Sequence, residues 1–457
     1  MEKDLTQGSP ARTIVSFALP VMGGNLFQLF YTLADTIIVG RTLGADALAA
    51  VGATGTVVTL VLLFVQGLTG GFGICLGQRY GARDREGLQR SLAAAWILSV
   101  VFLALITVST CTMIRPILVL LKTPARIEQM AYDYLFVILL GTGATVLYNM
   151  ISNILRALGD SRTPMFLLVF SALLNIVLDI VFIVPLGMGV AGAAWATVLA
   201  QLLSAVLCMV IGLRRFPVLR PDPVWRDWHK SAKGLLALGF PMGFQMAVMC
   251  IGQLAMQAAI NNMGPEAIAG FTAALKAENL AIQINSAYAT AVSAFVAQNY
   301  GAERTTRIRE GVKASLLQLE IANVVTAVVM VLARTWIVAL FIDEPTAEVT
   351  AYAARYTMVV APLYFLLGAL MICRAAAQSM GSALVPFLAC IVELFMRTAA
   401  SLGLSKVWGY EGVCLATPLA WLGAVIILVP AYFLVLRRVE RHQQAAHSSE
   451  SSKSCSA

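Results

Sequence analysis

Two aspartates inside long apolar stretches are the costliest residues in this sequence: Asp35, late in the first stretch, and Asp179, in the middle of the fifth. A charged side chain at a bilayer centre costs roughly 2.5–3.5 kcal/mol on insertion scales, so each such residue is a functional candidate. Asn175 stands four residues before Asp179, one helical turn, which puts the two on one helix face. Two carboxylates in a low-dielectric site cannot both stay charged cheaply, so they take up a proton or share a cation. Asn175 adds a carbonyl oxygen and Thr197 a hydroxyl, neutral ligands for a hard monovalent cation such as Na+, or partners in a proton-switched hydrogen-bond network. The structural alternative is that Asp35 caps a helix end and Asp179 pairs with a basic group.

The remaining intramembrane charges are few. Glu393 and Arg397 are four apart, the spacing of an intrahelical ion pair. Glu278 has Lys276 two residues away, on a different face, and is a candidate for a second proton or drug-cation site; Glu320 has no sequence-local partner. The seventh stretch carries Met242, Met246, Met249 and Met256 with Gln245, Gln253 and Gln257 among them. Such a soft, polarizable face can contact varied substrates, which makes Gln253, Met256 and Gln257 cavity candidates beside Glu278; methionines at this spacing also serve as plain packing. Gly67, Gly71, Gly73 and Gly77 contain two Gly-x-x-x-Gly spacings, a sign of close helix contact. Pro20 and Pro241 occupy corresponding places in the first and seventh stretches, as hinge points or as prolines tolerated near a helix start.

The elements that must hold these residues follow from composition. Of 457 residues, 59% are hydrophobic and 12% charged, about half the charge of a soluble domain. That excludes a soluble enzyme and indicates an all-α polytopic membrane protein. Apolar runs between charged or Gly/Pro-rich breaks number twelve, from 13–39 to 413–436. The polar leader 1–12 has no cleavage site, so the first run is retained. All three histidines fall in polar loops or the tail, the eight cysteines follow no pairing pattern, and no phosphate loop occurs; no cofactor and no resident metal are expected. Of the 32 Lys and Arg, 23 fall in the termini and even-numbered loops, seven on the opposite side, and Lys276 and Arg397 within spans, which places both termini in the cytoplasm.

The chain also resembles itself. Leu19-Pro20 matches Phe240-Pro241, Tyr80-Gly81-Ala82 matches Tyr300-Gly301-Ala302, Gly159 and Pro164 match Gly381 and Pro386, and Ala196-Thr197 matches Ala416-Thr417, at offsets of 221, 220, 222 and 220. Six spans per copy leave both copies in one orientation, so two six-helix bundles related by a pseudo-two-fold axis along the membrane normal are expected. The division is leader 1–12, N-lobe 13–213, basic linker 214–234, C-lobe 235–436 and a disordered tail 437–457.

Ala18-Leu19-Pro20, the run Ala34-Asp35-Thr36-Ile37-Ile38-Val39-Gly40, Gly77 to Ala82, the loop Arg156 to Pro164, and Asn175 to Asp179 together resemble the multidrug and toxic compound extrusion (MATE) transporters of the multidrug/oligosaccharidyl-lipid/polysaccharide flippase superfamily. The resemblance implies no enzyme but a cytoplasmic-membrane antiporter, in which a cavity opens alternately to either side and inward H+ or Na+ drives amphipathic, cationic drugs out. In the DinF-like branch the cation site falls on Asp35 and Asp179 with Asn175 and Thr197, and Tyr134 joins them. The branch resembling NorM keeps an acid in span 7; this span has none, and the repeat maps Asp179 onto Ser401 at the offset of 222, so coupling is expected to be asymmetric and based in the N-lobe. A lipid-linked oligosaccharide flippase is the rival within the superfamily, and a membrane-embedded enzyme the rival outside it. Expected partners are a small-molecule substrate, H+ or Na+ and lipid, with no nucleic acid and no obligatory protein.

Overall fold

Hydrocarbon offers the backbone no hydrogen bonds, so an apolar stretch that crosses it must satisfy its N–H and C=O groups internally, as a helix. The computed structural model describes residues 4–339, 341–342 and 344–454, with the side chains of 33, 442 and 445–454 outside that description. Among the described residues there are no strands, and twelve helices are long and apolar enough to cross a membrane. They are α1 (Pro10–Leu43), α2 (Ala45–Gly81), α3 (Arg85–Thr112), α4 (Ala125–Ala157), α5 (Arg162–Ile183), α6 (Gly189–Arg215), α7 (His229–Ile260), α8 (Pro265–Gly301), α9 (Thr305–Leu332), α10 (Ala347–Ser379), α11 (Leu384–Trp408) and α12 (Tyr410–Arg441). α1 and α7 run unbroken through Pro20 and Pro241. Four spans do break: α4 at Gly141, α10 at a 3-10 turn over Ala361–Leu363, where Pro362 lacks an N–H, α11 at a π turn over Ala400–Leu404, and α12 at Leu415.

The internal repeat is visible in the backbone. Gly44 and Gly264, just before α2 and α8, share a left-handed conformation, as do Arg83 and Glu303 after those helices and Gly159 and Gly381 after α4 and α10. The second halves of α4 and α10, Thr142–Ala157 and Tyr364–Ser379, begin and end 222 residues apart. The surface repeats too: Val101, Leu105 and Val108 on α3, and Ile321, Val325 and Val328 on α9, form matching exposed apolar stripes 220 residues apart, fit to face lipid.

Two compact units emerge, Gly23–Ala247 with Met1–Asp4, and Val248–Ala457 with Leu5–Met22. The sequence places the division in the linker 214–234, whereas contacts place it inside α1 and α7. Hydrogen bonds give the reason. The linker is held to the first unit by Gln89, whose Nε2 donates to the Val218 carbonyl at 2.5 Å and whose Oε1 accepts from Trp225 Nε1 at 2.6 Å. The expected leader is held to the second unit: Leu5 N donates to Gln298 Oε1 at 3.1 Å, and Arg304 and Arg307 donate to the carbonyls of Thr6 and Gly8. The tail also differs from expectation at its start. Helix continues beyond 436 because Arg309 pairs with Glu440 at 2.6 Å and Thr305 donates to Gln443 at 3.1 Å; residues 455–457 lie outside the described residues.

Glycine sets the closest helix approach in the first unit. A Cβ on Gly67 would lie 2.3 Å from the Met242 carbonyl oxygen, and one on Gly71 would lie 2.5 Å from Gly239 Cα. The Gly-x-x-x-Gly spacing therefore lets α2 press against the backbone of α7. Gly71→Val should cost about 1–3 kcal/mol by overpacking and lower the melting temperature of the detergent-purified protein. Gly52→Val, at a position with open space around it, should leave the melt unchanged in the same assay.

Candidate functional site

The candidate coupling residues lie on four helices of the first unit. On α5 the buried positions Ser171, Asn175, Asp179 and Ile183 fall at intervals of four, one stripe on the helix. α6 meets this helix with small buried residues, Gly192, Ala193, Ala196 and Ala200, which permit close approach. The start of α5 is fixed by Asp160, which accepts from the backbone N–H groups of Arg162 and Thr163 and pairs with Arg215 at 2.7 Å. The loop motif from Gly159 to Pro164 thus positions the helix rather than the cargo.

Asp179 is fully buried, Asn175 nearly so, and Asp35 on α1 half-buried. The two carboxyls are within electrostatic reach of each other, and Tyr134 on α4 and Tyr31 on α1 are within reach of both. Asn175 Nδ2 donates to Thr197 Oγ1 at 3.3 Å, and Thr197 Oγ1 donates to the Ala193 carbonyl at 3.2 Å. Thr197 thereby holds the Asn175 amide so that its nitrogen is spent and its oxygen is not. Four acceptor atoms are left buried with no hydrogen-bond partner: Asp35 Oδ1, Asn175 Oδ1, Asp179 Oδ1 and Asp179 Oδ2. Neither carboxylate joins an ion pair among the described residues, so the alternative in which a basic group neutralises Asp179 finds no partner there.

Asp35 and Asp179 are close enough for their carboxyls to share a proton as a hydrogen bond, and the cluster otherwise offers acceptor oxygens that favour added positive charge. Carboxylate and amide oxygens suit a proton or a hard cation such as Na+ and not a thiophilic metal. The structure brings together Asp35, Asn175, Asp179 and Thr197, which the sequence singled out, and Tyr134, which the family resemblance added; it also places Tyr31, four residues before Asp35 and not singled out by the sequence, within reach of both carboxyls.

The cavity candidates of the second unit are less coherent. Glu278 is buried on α8 and accepts from Tyr356 Oη at 2.8 Å, with no bridge to Lys276 among the described residues. Met256 is buried in the unit's apolar core, where its sulfur accepts from Thr417 Oγ1 at 3.3 Å. Gln257 spends its amide on Asn261 at 2.8 Å, and Gln253 is exposed. No hydrogen bond joins the four. Met242 lies against Gly67 and Gly70 of α2 and Met249 against Arg374, so three of the four methionines of α7 pack internally instead of forming one open face. The Glu393–Arg397 pair forms as its spacing predicts, at 3.1 Å, but Arg374 joins it at 2.8 Å, and all three side chains are buried. Arg374 had counted as a loop charge because it ends the expected tenth apolar run.

The family model MatE matches residues 20–181 and 241–400. The probable multidrug resistance protein YpnP of Bacillus subtilis (strain 168) is 29% identical over 420 residues, 92% of this chain and 94% of that protein. DNA damage-inducible protein F of Escherichia coli (strain K12) is 27% identical over 355 residues, 76% of each. A crystal structure of MATE in complex with MaL6 superposes with a TM-score of 0.88 at 24% identity, covering 96% of this chain and 99% of that one, a likeness of fold.

The orphaned acceptors make a stability prediction. A ligand present at a hundred times its dissociation constant stabilises the folded state by about 2.7 kcal/mol. The melting temperature of the purified protein should therefore rise as Na+ replaces choline at constant ionic strength, or as the solution is acidified, and Asp179→Asn should flatten that response. A wild-type melt indifferent to both cations would argue against a cation site here.

Proposed function

From the premise that the chain belongs to the MatE family, whose members are transporters rather than enzymes, we propose that it exports amphipathic, cationic organic compounds across the cytoplasmic membrane in exchange for inward H+ or Na+. The observation that carries this reading is the set of four buried acceptor oxygens around Asp35, Asn175 and Asp179 that have no donor. The name of the Bacillus subtilis relative, a probable multidrug resistance protein, supports the cargo class.

A proton or Na+ entering the site neutralises carboxylate charge that α1 and α5 otherwise hold unpaired. Loss of that charge relaxes the constraint on α1, which carries both Asp35 and Tyr31, and favours the conformation with weaker cargo affinity. Cargo and cation then exclude one another through their different preferences for two states, which gives antiport by alternating access. Thr197 serves as a positioning residue, holding the Asn175 carbonyl oxygen free for the cation. Tyr134 and Tyr31 line the site as polar neighbours of both carboxyls.

Orientation belongs to the same reading. The excess of Lys and Arg in the termini and even-numbered loops supports cytoplasmic termini, so alkaline phosphatase fused after Arg441 should be inactive in cells and active when fused after Lys122.

Export itself is tested in proteoliposomes loaded with a fluorescent cationic dye under imposed Na+ or pH gradients. Wild type should move dye under one of the two gradients, and Asp179→Asn should fall to the level of protein-free vesicles while eluting as a monodisperse, folded species. Full gradient-driven export by Asp179→Asn would remove the coupling role from this site.

A further inference from the structure

The helices keep register through the internal repeat: α2 and α8, and likewise α3 and α9, begin and end 220 residues apart, and the second halves of α4 and α10 lie 222 apart. That register exposes a coordinated difference. Val65, Val100, Leu103 and Val146 of the first unit correspond to Asn285, Glu320, Asn323 and Gly368 of the second. The first unit forms the same helices without these polar side chains, so the scaffold does not require them.

In the second unit the four meet at one place. Val100 is 62% exposed on its stripe, whereas Glu320 folds back over α10: a Cβ on Gly368 would lie 2.5 Å from Glu320 Oε1 and 2.6 Å from Asn323 Nδ2. The valine of the first unit could not stand there, and glycine opens the notch into which both groups reach. Asn285 Nδ2 donates to Asn323 Oδ1 at 2.8 Å and to the Ala281 carbonyl at 2.9 Å, which fixes the way the Asn323 amide faces. Asn323 Nδ2 donates to the Tyr364 carbonyl at 3.1 Å and to Asn285 Oδ1 at 3.4 Å, with the Glu320 carboxyl as a third acceptor beside it. Two N–H bonds thus face three acceptors. One of these, Tyr364, opens the second half of α10 directly after the 3-10 turn over Ala361–Leu363.

Glu320, near the middle of α9, has no counter-charge. Its Oε2 is buried without a hydrogen-bond partner, and it joins no ion pair among the described residues. The helices α8, α10 and α12 pack against α9, and their charges are engaged elsewhere: Glu278 with Tyr356, Lys276 over the Phe341 ring, Arg355 with Glu411, Arg374 with Glu393, and Glu440 with Arg309. Tyr364 has Glu278 as its charged neighbour, Tyr432 has Arg309 and Glu440, and Tyr288 and Cys373 have none. On α9 itself Lys313 is exposed, two turns away. An unpaired carboxylate at this depth costs several kcal/mol, and a proton removes the charge.

We propose that Glu320 is a proton-binding site of the second unit, separate from Asp35 and Asp179: as the neutral acid it leaves Asn323 on the Tyr364 carbonyl, and on losing its proton it draws that N–H to itself and frees the carbonyl at the α10 break. A hydrogen bond to an ionised acceptor is about twice as strong as one between neutral groups, which decides the competition once the proton leaves. The site stands whether or not the protein exports drugs.

The test is infrared spectroscopy of the purified full-length protein in maltoside detergent, titrated from acid to alkaline pH. The difference between wild type and Glu320→Gln at neutral pH should contain one protonated-carboxyl C=O band, and alkali should remove it. Asn323→Leu, which restores the side chain of the first unit, should keep the band and move its loss upward by about one pH unit, since the ionised form loses its donor. The band should survive Asp179→Asn, so this site and the coupling site are read apart. No protonated-carboxyl band in the difference overturns the site, and a titration that ignores Asn323→Leu overturns the competition for Asn323. Should Glu320→Gln fail to fold, wild type decides by reaction with dicyclohexylcarbodiimide, which takes the carboxyl O–H across one C=N bond, oxygen to carbon and hydrogen to nitrogen, with nothing leaving. Peptide mapping should then find the adduct on Glu320 at neutral pH and not in alkali; no adduct, or one indifferent to pH, refutes the site.

Discussion

Every polar group in this chain that leaves water must find its partner inside the chain, and the structure follows from that requirement. Backbone groups meet it by forming helices. At the interruptions of α4, α10 and α11 the backbone N–H groups still find carbonyls nearby in the chain, as Gly141 N does on Val137 and Tyr364 N on Ala361, and the Tyr364 carbonyl accepts from Asn323. Side chains meet the requirement nearly everywhere: threonines and serines return their hydroxyls to the carbonyl one turn back, as Thr69 and Ser315 do. Asn285 and Asn323 satisfy each other across α8 and α9. Against that background, an unsatisfied buried atom is informative because it costs roughly 1–3 kcal/mol to leave a buried polar group unpaired, more when charged. Such atoms are scattered through the chain, and Asp35, Asn175 and Asp179 are notable because they bring four of them together.

Duplication and divergence account for where those atoms lie. The two copies keep the backbone devices that make the fold, namely the left-handed residues at Gly44 and Gly264, Arg83 and Glu303, and Gly159 and Gly381. They keep Tyr134 and Tyr356 at equivalent positions, each near a buried carboxyl. What changed is the sign of the group between the helices: an amide and a carboxylate on α5, a guanidinium on α11. At equivalent places one scaffold thus carries an amide in one unit and an arginine, ion-paired with Glu393, in the other.

How much of this the sequence reveals depends on whether a feature is local. That Asp35 is buried in part and that Asn175 and Asp179 share a buried stripe was legible, because a carboxylate in an apolar run is conspicuous and a spacing of four is a helix face. The twelve spans and the repeat were legible for the same reason, and so was the Glu393–Arg397 pair. Tyr31 was not, since a tyrosine in an apolar run attracts no notice until its neighbour is known. Arg374 was not, because an arginine at the end of an expected span resembles an interfacial charge; only the fold carries α10 on to Ser379 and buries the guanidinium against Glu393. Periodicity also says nothing about which neighbours a helix chooses. The methionines of α7 read as one soft face, yet Met242 meets glycine on α2 and Met256 meets Thr417. For the same reason the division of the chain inside α1 and α7 could not be read from composition, which marked the basic linker instead.

The two charge clusters differ in what they can do for an exchange cycle. A ligand shifts a conformational equilibrium only by the difference in its affinity for the two states. Under the proposed exchange, the buried carboxyls of Asp35 and Asp179 supply that difference, because two carboxyls in low dielectric gain more from one added positive charge than the same pair in water. At Arg374, Glu393 and Arg397 the difference is smaller, since Glu393 already offsets one of the two positive charges and Glu278 is at hand for the other. Under the proposed exchange, the first unit sets the direction of transport, while the Arg374–Glu393–Arg397 cluster ties α10 to α11.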